Sequence, residues 1–112
     1  MTGTYQVIYS PEAVEDLRGI YSYIAYTLLA QRTAENLINR IRKEIRSLDV
    51  FPERNSLVDW EPWLSMGMRK FPVENYIVFY LAYKEKHIVL VNRIFYSGQD
   101  IRHIVQELGE QC

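Results

Sequence analysis

The chain has 112 residues, of which 48% are hydrophobic and 24% charged, with 13 Lys and Arg against 14 Asp and Glu. That length predicts one domain over 1–112, because single domains run about 100 to 200 residues, and the composition is that of a folded core rather than of disorder. A formal net charge of −1 excludes a chain-wide electrostatic pull toward nucleic acid or membrane, so any basic site must be local.

Tyr5-Gln6-Val7-Ile8-Tyr9 is rich in strand formers and gives way to Ser10-Pro11-Glu12, where Ser10 can cap a helix and Pro11 suits its first position. Val14, Leu17, Tyr21, Ile24 and Leu28 then recur at helical spacing, widened by Ala13 and Ile20, and predict a helix over 11–28. Glu12, Glu15 and Asp16 fall in its first turn, where the helix dipole favours acids. Ala34, Leu37, Ile38, Ile41, Ile45 and Leu48 repeat the spacing over about 31–50, and Pro52 supplies a stop. Two such helices joined by two or three residues form an antiparallel hairpin. The exposed face of the second is basic, with Arg32, Arg40, Arg42, Lys43 and Arg46 against Glu35 and Glu44 over 31–46.

Residues 52–65, with two prolines and the tryptophans Trp60 and Trp63, read as a long loop. Two tryptophans there should not both be left in water, so they fold back on the sheet or contact a partner. Strand character follows in Gly67–Val73, Tyr76–Tyr83 and His87–Tyr96, with Lys84-Glu85-Lys86 as a turn. The last two strands are apolar on both alternations, which predicts places inside the sheet. Ile101, Ile104, Val105 and Leu108 predict a short final helix from near Asp100, with Gly109 placed to end it. The expected fold is therefore α+β: an N-terminal strand, an antiparallel helical hairpin, a three-stranded antiparallel meander completing a small twisted sheet, and a short C-terminal helix. What covers the sheet face opposite the hairpin is left open.

The single cysteine, Cys112, allows neither an intramolecular disulfide nor a Cys-based zinc site and fits a reducing cytoplasm. Met1–Tyr9 lacks the pattern of a secretory signal and no run of 18 apolar residues occurs, so neither secretion nor membrane spanning is expected. There is no Gly-rich phosphate loop, no nucleophile elbow and no metal-spaced histidine pair, so no metal, cofactor or small-molecule cofactor partner is expected. Tyr76, Tyr80, Tyr83 and Tyr96 lie on or beside the sheet near Arg69, Lys70 and Arg93. Such a set can stack bases and neutralise phosphates on RNA, although aromatic residues in strands commonly serve packing alone.

Four segments carry a resemblance to a known family. Ser10-Pro11-Glu12-Ala13 with Asp16-Leu17 and Ile20-Tyr21, Arg69-Lys70-Phe71-Pro72-Val73, Asn75-Tyr76-Ile77-Val78-Phe79-Tyr80, and Arg93 through Ile101 resemble the RelE/ParE toxins of bacterial type II toxin–antitoxin modules, of plasmid-stabilisation type, over about residues 4–105. The resemblance implies a cytoplasmic toxin that inhibits growth and is neutralised by a cognate antitoxin. Its RelE-like branch cuts messenger RNA on the ribosome, and its ParE-like branch poisons DNA gyrase without nuclease action.

The arginine that RelE-like members carry after the tyrosine of the third strand is Ile77 here, and the His-Gly-Arg-Arg-Asp-like strand end reads Tyr96-Ser97-Gly98-Gln99-Asp100. The ParE-like C-terminal arginines are also missing. If the chain cleaves RNA, Arg69, Arg93 and Tyr96 are the expected catalytic residues, and Lys70, Tyr80 and Gln99 the expected substrate or target contacts. A neutral tyrosine near its ordinary pKa of about 10 is a poor general base at neutral pH, which favours the non-nuclease branch. Arg93 has a structural alternative, an ion pair within the sheet. Arg40, Arg42, Trp60 and Trp63 are the expected antitoxin contacts, the arginines calling for an acidic tail. A second function class, a non-toxic binding protein or corepressor that keeps only the antitoxin surface, would account for Ile77 and Gln99 as drifted site residues.

Overall fold

The computed structural model describes residues 4–110, with side chains to Leu108; Cys112 lies outside the described residues. The order is β1 (Gln6–Tyr9), α1 (Pro11–Ser22) running on through a π-helical turn (Tyr23–Thr27), α2 (Gln31–Arg46) ending in a 3-10 turn (Ser47–Asp49), a second 3-10 turn (Pro52–Arg54), the short α3 (Trp63–Met66), β2 (Arg69–Val73), β3 (Tyr76–Tyr83), β4 (Ile88–Tyr96) and α4 (Ile101–Glu110). Ser10 caps α1 as expected, its hydroxyl accepting from the Ala13 N–H at 3.0 Å.

The four strands lie in the order β1-β4-β3-β2, so the two strands apolar on both alternations are the central ones. β2, β3 and β4 form the antiparallel meander, whereas β1 pairs in parallel with β4 through Gln6–Tyr9 against Ile88–Val91. The sheet is therefore mixed and not wholly antiparallel: the hairpin and the loop after it return the chain to its starting end, so β2 and, two reversals later, β4 run in the direction of β1. One extra residue, Asn92, bulges from β4 between the pairs Tyr80–Val91 and Phe79–Arg93.

Each face of the sheet has its own core. On one, Ala13, Ile41, Ile45 and Leu48 from the hairpin pack on Phe71, Val78, Tyr80, Val89, Val91 and Ile94. On the other, Val58, Trp63 and Met68 join Ile101 and Val105 of α4 over Phe79, Leu81 and Phe95. The face left open in the sequence reading is thus covered by the long loop and α4, which is why β3 and β4 are apolar on both sides. Trp63 is buried, its ring 4.7 Å from Phe79 and stacked at 5.2 Å on Trp60.

Two expectations along the helices are corrected. Ala13, Leu17, Ile20 and Ile24 turn inward as the stripe implied, but Val14 and Leu28 at its ends are exposed. Gly109 lies within α4, which reaches Glu110, because a glycine costs a helix only about 1 kcal/mol.

The long loop is pinned at its start. The Tyr80 hydroxyl, wholly buried, donates to the Pro52 carbonyl at 2.6 Å and accepts from the Asn55 amide at 3.0 Å. Arg69 donates to the carbonyls of Asn55 (2.7 Å) and Glu53 (3.0 Å). Tyr80→Phe leaves the Pro52 carbonyl and the Asn55 amide short of a partner and should cost about 1–3 kcal/mol, read as a lower urea midpoint with an unchanged slope.

Candidate functional site

A cleft of about 1160 Å³ opens where the far end of the hairpin parts from the start of β3 and the end of β4. Its walls carry Asp16, Tyr23, Asn36 and Arg40 from the helices, and Glu74, Asn75, Tyr76, Arg93, Tyr96 and Gln99 from the sheet side. The local sequence explains how these groups converge. β1 stops at Tyr9, so beyond Val91 the edge of β4 that faced β1 has no strand beside it, and the first turns of α1 take over that edge. Ser10 donates its N–H to the Val91 carbonyl (2.9 Å) and its hydroxyl to the Asn92 carbonyl (2.7 Å). The Asp16 carboxylate then accepts the Ile94 N–H at 2.9 Å and the Arg93 guanidinium through two bonds of 2.8 and 3.0 Å. Arg93 also lies 4.5 Å over the Phe95 ring, so both its charge and its face are engaged.

Across the cleft Arg40 pairs with Glu74 at 2.8 Å, joining α2 to the β2–β3 turn. Glu74 holds that position at φ 55°, a left-handed conformation unusual for a residue with a long side chain. Tyr96 lies against Gly98, where any Cβ would collide with its ring, and the Tyr96 N–H donates to Gln99 Oε1 at 3.2 Å. Tyr76 and Tyr96 meet edge to face at 5.7 Å. Burial, followed by the neighbouring Tyr96 and Tyr23 hydroxyls, holds the Tyr76 phenol above the ordinary tyrosine range, so it stays neutral at physiological pH. The cleft therefore offers phenols and amides as neutral hydrogen-bonding groups, and its two guanidiniums are both already paired with carboxylates.

Of the residues singled out in the sequence, Arg40, Arg93, Tyr96 and Gln99 come together here. Arg69, Lys70 and Tyr80 do not. Arg69 pairs across the ladder with Tyr80 and Arg93 with Phe79, and because successive residues of β3 point to opposite faces, the two arginines cannot converge on one phosphate. Tyr80 is buried under the loop and unavailable for stacking on a base, and Lys70 lies partly exposed on the edge strand β2. Arg42 sits on the outer side of the hairpin, away from Arg40. Trp63 belongs to the second core, with Trp60 stacked on it, so the pair folds back on the sheet. Asp16 was legible as a dipole-facing acid and as part of a family-like segment, although it lies beyond the first turn of α1; Asn75 headed another such segment, and Tyr23 and Asn36 carried no signal in the sequence. Among the described residues no group of three or more His, Cys, Asp or Glu side chains is placed to hold a metal ion, and no helix is long and apolar enough to cross a membrane.

The family model described as ParE toxin of type II toxin–antitoxin system, parDE, matches residues 7–101. No curated protein matches the chain in sequence. Among solved structures, the chromosomal ParDE toxin–antitoxin system from P. aeruginosa superposes with a TM-score of 0.68 at 17% identity, over 83% of this chain and 96% of that one. The toxin–antitoxin complex RelBE2 from Mycobacterium tuberculosis gives 0.61 at 17% identity, over 83% and 98%. The intact E. coli RelBE complex gives 0.56 at 16% identity, over 85% and 99%. At these identities the likeness is one of fold.

Arg93 is held by a two-bond ion pair to Asp16 within the fold. Arg93→Ala strips Asp16 of its counter-charge and should cost about 1.5–3 kcal/mol, measured by urea unfolding, whereas Arg93→Lys keeps the charge but loses one of the two bonds and should fall between. Tyr76 and Tyr80 are both raised, chiefly by burial, so the fold favours their neutral forms. Stability should hold below the ordinary tyrosine pKa of about 10 and fall as pH rises through the higher folded values; Tyr76→Phe should flatten that alkaline decline in thermal melts.

Proposed function

The chain belongs to the ParE toxin family of type II toxin–antitoxin systems, and on that premise we propose that it is a non-nuclease toxin that arrests growth by acting on DNA gyrase and is neutralised by a cognate antitoxin. One observation carries the choice of branch: both strand arginines available for phosphoryl chemistry are engaged within the fold. Arg93 is held by Asp16 and Arg69 by two loop carbonyls, and the third-strand position that RelE-like members give to arginine is Ile77, packed against the second core. Stabilising a phosphate as a 2′-hydroxyl attacks it needs preorganised donors aimed at the developing charge, and a guanidinium already neutralised by a carboxylate is a weak one. Tyr76, kept neutral above its usual range, is no better placed as a general base at pH 7.

The cleft is suited instead to protein recognition, with aromatic faces, side-chain amides and self-neutralised charge. A cytoplasmic setting follows from the target. Ribosome-dependent messenger RNA cleavage is the second reading, and the half-exposed Tyr96 beside Arg93 is the feature in its favour.

Induced expression in a bacterium should arrest growth, and co-expression of the antitoxin should restore it. Purified protein should inhibit gyrase supercoiling and leave messenger RNA intact on translating ribosomes. Cut messenger RNA with unaffected supercoiling would move the chain to the nuclease branch, and unaffected growth would make it a binding protein.

A further inference from the structure

The outward face of α2 carries a stripe that the core does not use. Arg32, Asn36, Asn39, Lys43 and Arg46 follow one another at steps of four and three residues, and all are exposed. At about 100° and 1.5 Å per residue, that spacing keeps them within an arc of about 80° and spreads them over about 21 Å of helix. On the opposite side Ala34, Ile41 and Ile45 face the core. Arg40, to one side of the stripe, is paired with Glu74. Arg42, to the other, borders an apolar trough of about 590 Å³ outside the hairpin, lined by Val14, Tyr21 and Ile38. Arg32, Lys43 and Arg46 make no ion pair among the described residues. Of the two acids in α2, Glu35 lies at the edge of the stripe and Glu44 well outside it.

Helix stability does not account for this composition. Lys43 and Arg46 complement the dipole in the last turn, but Arg32 stands in the first turn, where a cation opposes it, and Ala30 supplies no side-chain cap. Asn36 and Asn39 are poor helix formers at exposed positions in mid-helix. What the five share is hydrogen-bond donation: two guanidiniums, one ammonium and two amides, with no aromatic or aliphatic residue among them.

We infer that this stripe docks on the phosphate backbone of duplex DNA and, resting on the gyrase reading above, on the duplex that gyrase holds. Over about 21 Å one strand of a duplex offers about six phosphates, enough for three cations to meet, with the amides between them donating to phosphate oxygens. Asn36 also lines the cleft, so the stripe runs along the lip of the cleft. A DNA-bound enzyme presents a protein surface with a duplex beside it. The cleft, whose arginines are neutralised, fits the first, and the stripe fits the second. A single-stranded RNA gains affinity by stacking its bases, and the stripe has no ring to stack them on. An amphipathic protein helix would find no apolar surface there to bury.

The test uses the intact chain and gyrase holoenzyme, alone and saturated with linear duplex DNA, with affinity measured by biolayer interferometry. Arg32→Gln and Lys43→Gln are exposed changes to a comparable helix former and should keep the wild-type melting curve. The wild-type chain should bind DNA-loaded gyrase about tenfold or more tightly than gyrase alone, and with a steeper salt dependence. Each substitution should weaken binding to the loaded enzyme about threefold and the double variant about tenfold, and the slope of log affinity against log salt should fall by about one per cation removed. Affinity for gyrase alone should change less than about twofold, and Lys84→Gln, in the β3–β4 turn far from the stripe, should leave both affinities within the same margin. Equal wild-type affinity for the two forms of gyrase, or unchanged affinity and salt slope in the double variant while supercoiling is still inhibited, overturns the inference and leaves the gyrase reading standing. A wild-type chain that neither binds gyrase in either form nor inhibits supercoiling overturns that reading, and the inference with it. A double variant that keeps its affinity for loaded gyrase but loses the antitoxin, or loses a single-stranded RNA that the wild-type chain binds, assigns the stripe to that occupant instead.

Discussion

The architecture depends on how β4 keeps its hydrogen bonds after its neighbour has left. β1 pairs with β4 for four residues and then becomes α1, leaving the backbone of Asn92 and Ile94 at an open edge. A buried edge with unpaired groups would cost about 1–3 kcal/mol for each of them. Ser10 and Asp16 remove that cost from within α1: a single serine both caps the helix and holds the Val91 and Asn92 carbonyls, and a single aspartate takes the Ile94 N–H together with the Arg93 guanidinium. The bulge at Asn92 lets the ladder absorb this change of partner. Because the bonds run from the helix to the strand, they also fix the angle at which the hairpin crosses the sheet and therefore the width of the cleft at its far end.

The same logic accounts for the partners of the two strand arginines. An arginine in a strand of a small sheet has either to reach solvent or to find an anion or carbonyls inside, and here both strand arginines do the second. Arg69 and Tyr80 staple the loop that covers the second face, while Arg93 is the counter-charge of the Asp16 junction. A residue engaged in this way contributes to stability, because its removal leaves its partners unpaired. Ile77 fits the same picture, since an arginine there would have to leave the second core that α4 and the tryptophans close.

Much of this was legible in the sequence, for identifiable reasons. Long stripes at helical spacing located the hairpin, apolar residues on both alternations placed β3 and β4 at the centre of the sheet, and Ser10-Pro11 marked the start of α1 to the residue. Information that depends on which elements meet was not legible. Alternation cannot show that β1 runs parallel to β4, because pairing direction follows from the path of the chain between them. A bulge leaves no trace where both faces are apolar, so the facing of Arg93 could not be read. In α1 the stripe read from spacing is broader than the buried one: Leu17 and Ile24, with Ala13 and Ile20, face inward, while Val14 and Leu28 at its ends are exposed. The tryptophans declared that something would be buried under a loop, without saying that it was the open face of the sheet. Of the site, Arg93, Tyr96, Gln99 and Arg40 were found by residue type, whereas Asp16, the group that positions Arg93, looked like an ordinary dipole-facing acid.

That surplus stripe on α1 bears on how one small domain can serve more than one partner. Arg40 and Arg42 are two residues apart in α2, about 200° around the helix, and so belong to different surfaces. Arg40 faces the cleft and is neutralised by Glu74, whereas Arg42 faces the outer trough and makes no ion pair among the described residues. Both surfaces carry tyrosines, but they differ in charge: the arginines of the cleft are paired with carboxylates, whereas no carboxylate lines the trough. A helix whose two flanks differ in this way does not need both flanks for stability, because the inward stripe through Ala34, Ile41 and Ile45 already anchors it to the core. The outer flanks are therefore free to specialise. Among the described residues the hairpin is tied by charge to the sheet at the α1–β4 junction and at the Arg40–Glu74 contact, and these ties, with the shared core, couple its outer flank to the cleft.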